Sequence, residues 1–257
     1  MLHFNLIVWL LALTAPGCVS PSSPQVNQVE TLSVRVINKY PHDPGAFTQG
    51  LIWFSGRLYE STGRYGQSSL RKVRLRDGKV LRKVSLHPRY FGEGLARVGS
   101  RLIQLTWREN TAFTYDLTNL RQLGKIPYSG DGWGLTFDGT WLVMSDGSSL
   151  LTFRDPRTFS VWKRLQVTLN KRPVQMLNEL EFAGGWIYAN VWTRTEIMKI
   201  HPETGRVVAI IDASGLPYQP VRQSEDVLNG IAYIPERKTF LLTGKLWPKI
   251  FEVVFEK

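Results

Sequence analysis

The stretch Gln49-Gly50-Leu51-Ile52-Trp53-Phe54-Ser55-Gly56-Arg57-Leu58-Tyr59-Glu60-Ser61-Thr62 decides the fold. An apolar run, Gly50–Phe54, meets a Ser55-Gly56 turn and returns as a second run from Leu58 to Thr62. A third run alternates from Ser69 to Leu75, and Arg76-Asp77-Gly78 turns the chain into a fourth, Val80–Leu86. Short alternating runs with a turn every eight to twelve or so residues predict antiparallel strands rather than helices. Gly and Asp-Gly supply the positive φ that tight hairpins need.

The opening motif recurs along the chain. Gln49-Gly50-Leu51, Glu93-Gly94-Leu95, Trp133-Gly134-Leu135, Asn178-Glu179-Leu180 and Asn229-Gly230-Ile231 follow one another at intervals of 44, 40, 45 and 51 residues. That period matches four-stranded propeller blades. The last repeat has three runs, Gly230–Ile234, Phe240–Gly244 and Ile250–Phe255, and then the chain ends. A free edge there would invite aggregation. An orphan run, Leu32–Lys39, precedes the first repeat and is the strand that would complete the fifth blade. The predicted fold is all-β: a five-bladed β-propeller of four-stranded antiparallel blades, occupying residues 31–257, with the ring closed by the N-terminal strand.

The repeats also align chemistry. The residue before each Gly-Leu step starts the first strand of its blade; these are Gln49, Glu93, Trp133, Asn178 and Asn229. The second strand runs antiparallel, so its end lies beside that start. Its end positions hold Gly63, Trp107, Gly147, Trp192 and Lys245. Both sets are therefore expected around one mouth. One carboxylate, one lysine, several amides and several indoles there suit a small polar ligand in an apolar pocket. A solvated funnel with incidental aromatics is the plainer reading of the same positions.

Composition sets the outer limits. The chain has 257 residues, 43% of them hydrophobic, and nine are Trp. Net charge is +11, but the basic residues are dispersed and no nucleic-acid motif is present, so a generally basic surface is expected and no nucleic-acid partner. Residues 1–18 read as a signal peptide with an apolar run through Leu13, and the single cysteine, Cys18, follows small residues as in a lipoprotein leader. Residues 19–30 read as a flexible linker. An exported protein is expected, periplasmic or anchored to the outer membrane through a lipid on Cys18, and otherwise secreted; a monomer is expected. The mature chain cannot form a disulfide within itself. The four His (His3, His42, His87, His201) lack zinc-like spacing, and neither a metal nor a cofactor is expected. No serine nucleophile elbow, P-loop or dinucleotide fingerprint occurs. Asp131 and Asp146 read as turn residues near the opening. Glu179 and Glu181, flanking Leu180, read as structural hydrogen-bonding groups.

Phe47-Thr48-Gln49-Gly50-Leu51, Phe91-Gly92-Glu93-Gly94-Leu95, Thr106-Trp107, Gly132-Trp133-Gly134-Leu135, Leu177-Asn178-Glu179-Leu180, Asn190-Val191-Trp192, Leu228-Asn229-Gly230-Ile231 and Leu242-Thr243-Gly244-Lys245 together resemble the plant- and bacterial-type glutamine cyclotransferases. The likeness runs through nearly all of residues 41–255. It implies a five-bladed propeller that acts on peptides or proteins with N-terminal glutamine and forms pyroglutamate without a metal. By the same resemblance Glu93 matches the acid/base carboxylate. Gln49, Asn178, Trp192 and Lys245 match polar site positions, and Phe47, Phe91, Trp107 and Trp133 match the aromatic wall. Gln49, Trp192 and Lys245 are the expected oxyanion donors. A propeller that binds a ligand or partner on the cell envelope without catalysis is the alternative. A sugar hydrolase would normally need two opposed carboxylates.

Overall fold

The computed structural model describes Met1, residues 29–218 and residues 225–257. The leader, Cys18 and nearly all of the linker lie outside the described residues. An N-terminal strand, β1 (Glu30–Pro41), precedes the first sheet, which is β2 (Thr48–Phe54), β3 (Arg57–Thr62), β4 (Ser69–Arg74) and β5 (Lys79–Ser85). The second is β6 (Gly92–Val98), β7 (Arg101–Thr106), β8 (Thr111–Asp116) and β9 (Gln122–Pro127). The third is β10 (Leu135–Phe137), β11 (Leu142–Met144), β12 (Leu150–Arg154) and β13 (Val161–Gln166). A small hairpin, β14 (Thr168–Leu169) and β15 (Arg172–Pro173), follows; nothing in the repeat pattern announced it. Then come β16 (Leu177–Ala183), β17 (Trp186–Val191), β18 (Glu196–Ile200) and β19 (Val207–Asp212), and finally β20 (Leu228–Ile234), β21 (Thr239–Gly244) and β22 (Lys249–Glu256). The fold is all-β, with one 3-10 turn, Leu75–Asp77, among the described residues. That turn ends β4 one residue earlier than the sequence suggests, because Asp77 accepts the side chain of Arg74 and the N–H of Lys79.

The orphan strand pairs where the missing strand was expected. β1 runs antiparallel to β22 from Ser33 opposite Glu256 to Pro41 opposite Lys249. It also runs parallel to β19 from Glu30 opposite Ala209 to Ser33 opposite Asp212, which the sequence did not reveal. The last two groups of strands thereby merge into one eight-stranded sheet in the order β16-β17-β18-β19-β1-β22-β21-β20.

Strand alternation explains the core. Neighbouring residues on the second strand of each group point to opposite faces. Leu58 joins Ala232, Leu241 and Ile250 on one side, while Tyr59 joins Leu95, Leu102 and Phe113 on the other. Ile103 packs with Leu135 and Leu142; Val143 packs with Leu180 and Ile187; Tyr188 packs with Ile231 and Leu242. Each apolar cluster thus lies between two successive groups of strands, and the cluster around Leu58 joins the first group to the last. The first strands close the same cycle: β2 packs on β6, β6 on β10, β10 on β16, β16 on β20 and β20 on β2.

First strands approach closely enough to forbid a side chain. A Cβ on Gly50 would stand 2.6 Å from the Leu95 nitrogen, and one on Gly94 would stand 2.5 Å from the Leu135 nitrogen. On Gly134 it would overlap the Asn178 carbonyl oxygen. The fourth repeat has Glu179 in place of glycine, and its buried carboxyl accepts the N–H groups of Leu51 (3.1 Å) and Ile231 (2.8 Å). Glu181 likewise accepts Tyr233 N–H. The structural reading of both glutamates holds. Burial pushes the Glu179 carboxyl well above the ordinary range, with Glu181 adding to the rise, and pushes Glu181 up to about 8.

A buried polar cluster fastens the first sheet to the last. Glu60 bonds Arg71 (2.5 Å), His42 (2.9 Å) and Thr48 (2.7 Å), and His42 Nδ1 lies 2.6 Å from the Trp247 carbonyl. Burial alone would raise the Glu60 pKa, but Arg71 and His42 outweigh it and hold the carboxyl well below its usual range. His42 is thus a structural residue.

Gly134→Ala is expected to destabilise the protein by about 3 kcal/mol or more, because backbone must move. Gly124→Ala, whose added methyl meets only Thr114 Oγ1 at 3.5 Å, is expected to stay within about 1 kcal/mol of wild type. Denaturant midpoints of the two variants check this; equal midpoints would contradict the packing argument.

Candidate active site

The site begins with an irregularity in the backbone. Pairing slips between Thr48 and Gly50 on β2, Gly92 and Leu95 on β6, Leu177 and Leu180 on β16, and Leu228 and Ile231 on β20. These four bulges fall at Gln49, Glu93, Asn178 and Asn229. A bulge leaves residues unpaired and re-aims their side chains. Neighbouring sheets hold the displaced backbone: Ser61 Oγ donates to the Glu93 carbonyl, and Ser145 Oγ donates to the Asn178 carbonyl at 2.6 Å.

A cavity of about 180 Å³ opens at these bulges, lined by Phe47, Gln49, Phe91, Glu93, Trp107, Trp133, Asn178, Trp192 and Lys245. Every expected site residue is therefore in one place, drawn from positions nearly 200 residues apart in the chain. Two further positions of the predicted rings are glycines, and the structure gives the reason. A side chain on Gly63 would run into the ring of Phe91, and one on Gly147 would stand 2.7 Å from the indole of Trp133. The aromatic walls occupy that space. Phe91 meets Phe47 (6.1 Å) and Trp107 (5.6 Å) edge-on, and Trp133 meets Trp192 edge-on at 5.9 Å.

Glu93 is the cavity's carboxylate. Gln49 Nε2 donates to Glu93 Oε1 at 2.9 Å, and Gln49 Oε1 accepts from Asn229 Nδ2 at 3.1 Å. Asn229 also donates to the Thr48 carbonyl. Asn229 thus lies behind Gln49 rather than in the wall, and Gln49 spends one N–H on Glu93. Lys245 Nζ sits 4.9 Å from the centre of the Phe47 ring. Glu93 and Lys245 share the cavity without a direct ion pair. Burial pushes the Glu93 carboxyl well above the ordinary range; Lys245 opposes the rise, while Glu109 and Asp131 add to it. Burial pulls Lys245 down to about 8, with Glu93 opposing. The Asn178 Oδ1 and Trp133 Nε1 atoms are buried with no hydrogen-bond partner among the described residues. An unpartnered acceptor and donor in the lining are costly, about 1–3 kcal/mol each, and a ligand amide carries both complements.

Residues outside the repeat register form the rim. Tyr65 donates to Glu109 at 2.8 Å and meets Phe91 edge-on at 5.3 Å, while Glu109 also accepts Phe91 N–H. Arg108 covers Trp107 at 3.9 Å and pairs with Asp131 at 3.7 Å; Arg64 covers Phe47 and pairs with Glu225. Sequence reasoning missed Tyr65, Arg64, Arg108 and Glu109, because they follow the second strands where loops differ between repeats. Asp146 accepts Ser148 N–H within its own turn. His87 and His201 each accept an N–H two residues ahead, and no cluster of three or more metal-ligating side chains exists among the described residues.

Comparison with known proteins gives the family. A family model described as glutamine cyclotransferase matches residues 9–255. A glutaminyl-peptide cyclotransferase of Arabidopsis thaliana is 43% identical over 236 residues, spanning 90% of this chain and 72% of the relative. The crystal structure of Myxococcus xanthus glutaminyl cyclase superposes with a TM-score of 0.83 at 40% identity, spanning 89% of this chain and 99% of that one. With its bulged strands, aromatic cavity and these likenesses taken together, the chain belongs to the glutamine cyclotransferase family.

Proposed function

We propose that this protein is a glutaminyl-peptide cyclotransferase, closing the N-terminal glutamine of peptides or proteins into pyroglutamate with release of ammonia. We read its five groups of strands as the blades of a five-bladed β-propeller, a reading supported by the cycle of first-strand contacts and by the five apolar clusters between successive groups. The observation that carries the functional reading is one buried carboxylate, Glu93, facing a walled cavity of about 180 Å³ that also contains Lys245. Pockets for drug-sized ligands run to about 300–1,000 Å³, so this one suits a single small residue. The relatives' names supply the same reaction. The leader supports export, with Cys18 as the proposed lipid attachment point.

The chemistry is intramolecular. The substrate's α-amine attacks its own side-chain carboxamide carbon; a nitrogen–carbon bond forms and the bond to the amide nitrogen breaks. An α-amine has an ordinary pKa of about 7.7–8, so part of it is neutral near pH 7. Holding amine and carboxamide in contact supplies up to about 7–11 kcal/mol in ideal systems. The aromatic walls Phe47, Phe91, Trp107 and Trp133 fold the side chain and exclude water. Glu93 takes the proton that the attacking nitrogen loses and returns it to the departing nitrogen. Burial weakens the acidity of Glu93 and so strengthens its carboxylate as the base that takes this proton. Lys245, the second N–H of Gln49 and the Trp192 indole stabilise the oxyanion. Asn178 orients the carboxamide, and Asn229 acts as a positioning residue through Gln49.

Incubated with a Gln-initiated dipeptide and a chelator, the protein is expected to yield pyroglutamyl product and one ammonia per peptide. Unchanged dipeptide, by mass spectrometry, would refute the activity. Glu93→Gln is expected to lower kcat by about 10²–10⁴-fold while keeping the thermal midpoint, since glutamine can still pair with Gln49. A wild-type rate would remove Glu93 from the proton path.

Because the Lys245 ammonium is lost as pH rises through about 8, activity is expected to fall on that side of neutrality. Lys245→Met is expected to lower kcat by about 10²–10³-fold and to flatten this basic limb. An unchanged limb in the variant would assign it to another group.

A further inference from the structure

We infer that the groove beyond Trp192 receives the peptide that follows the N-terminal glutamine, and that Arg172 and Arg194 there select carboxylate-bearing substrates. This rests on the cyclotransferase reading above. The cavity holds one residue, so the rest of the chain must leave it. Trp192 lines the cavity on one side and, on the other, a groove of about 860 Å³ that runs past Met176 and Thr193 to Arg172 and Arg194. Trp192 is thus common to the lining of both.

The groove is built rather than incidental. Met176 N–H donates to the Gly147 carbonyl, and Trp192 N–H donates to the Met176 carbonyl, both at 2.8 Å. This ties the groove's floor to the glycine that seats Trp133. Met176 (φ 66°) and Thr193 (φ 69°) flank it in the left-handed region. A β-branched residue is rarely held there, and such strain concentrates at binding sites. The small hairpin β14–β15, which carries Arg172, has no counterpart between the other strand groups among the described residues.

Charge decides the ligand. At the cavity's other edges the cations are engaged: Arg64 with Glu225 and Arg108 with Asp131. Arg172 and Arg194 are exposed and form no ion pair among the described residues. Two guanidinium groups with no ion-pair partner among the described residues, in a groove that also carries Asn170 and Gln175, fit an extended peptide carrying a carboxylate, either an acidic side chain or the peptide's own C-terminus.

The test uses Gln-initiated hexapeptides with a single Asp or Lys at each of the later positions, with free or amidated C-termini. The wild-type protein is expected to show a kcat/KM about fivefold or more higher for Asp than for Lys at one or more positions, carried by KM rather than kcat. A kcat/KM higher for free than for amidated peptides whichever residue they carry would identify the terminal carboxylate as the group bound; an Asp preference retained in amidated peptides would identify the side chain. The double variant Arg172→Gln/Arg194→Gln is expected to lose the preference while cyclising a Gln-dipeptide amide at the wild-type rate. Raising ionic strength from about 0.01 M to about 1 M shortens the screening length from about 30 Å to about 3 Å, and should erase the preference without any variant. Efficient cyclisation with no charge preference, or a preference that survives in the double variant, overturns the groove assignment alone. Failure to cyclise any of these peptides overturns the activity and the groove assignment together.

Discussion

Backbone lying directly against backbone is the constraint on which the molecule depends. Neighbouring first strands meet at Gly50, Gly94 and Gly134 with no room for a methyl group. That contact leaves strand amides facing the centre without ladder partners, and buried amides must find acceptors. Glu179 answers for Leu51 and Ile231, Glu181 for Tyr233, and Asn190 for Gly230. These side chains are the reason a β-sheet protein carries carboxylates deep inside that have no part in the chemistry. Glycine is thus required by packing where the strands touch, and a long acceptor is required where one strand lacks it.

The same contact builds the cavity. Because the first strands cannot slide apart, the bulges at Gln49, Glu93, Asn178 and Asn229 are held in fixed positions around one opening. The charged groups there are set apart from solvent by aromatic rings that are themselves seated on Gly63 and Gly147. Burial makes Glu93 a weaker acid and Lys245 a weaker base than either would be in water. Holding both costs stability, which the buried Glu60–Arg71–His42 cluster and the five apolar clusters elsewhere offset. Functional strain concentrated in one place and supported elsewhere is the usual pattern.

Much of this was legible in the sequence because repetition turns linear spacing into geometry. The Gly-Leu step recurs for a packing reason, so the residue before it had to lie at a shared position. The antiparallel partner placed Lys245 and Trp192 beside it. The orphan run Leu32–Lys39 was assignable because the last repeat lacked a strand. What the repeats do not encode was not legible. The bulges depend on pairing register, which a pattern of residue types does not fix. Gly63 and Gly147 looked like gaps in a ring until Phe91 and Trp133 were seen above them. Asn229 shares the ring position of Glu93 yet stands behind Gln49, a distinction set by one hydrogen bond. Tyr65, Glu109 and Arg108 belong to loops that differ from repeat to repeat, and the parallel pairing of β1 with β19 has no signature in either strand.

The central claim is that one glutaminyl residue enters the cavity with its amine beside Glu93 and its carboxamide beside Lys245 and Asn178. A crystal structure of the Glu93→Gln variant soaked with a Gln-initiated dipeptide tests that most directly. The account predicts density for the glutaminyl side chain between the aromatic walls, its α-nitrogen within hydrogen-bonding distance of residue 93 and its amide oxygen turned toward Lys245. A dipeptide bound outside the cavity, or with its amine turned away from residue 93, would contradict it.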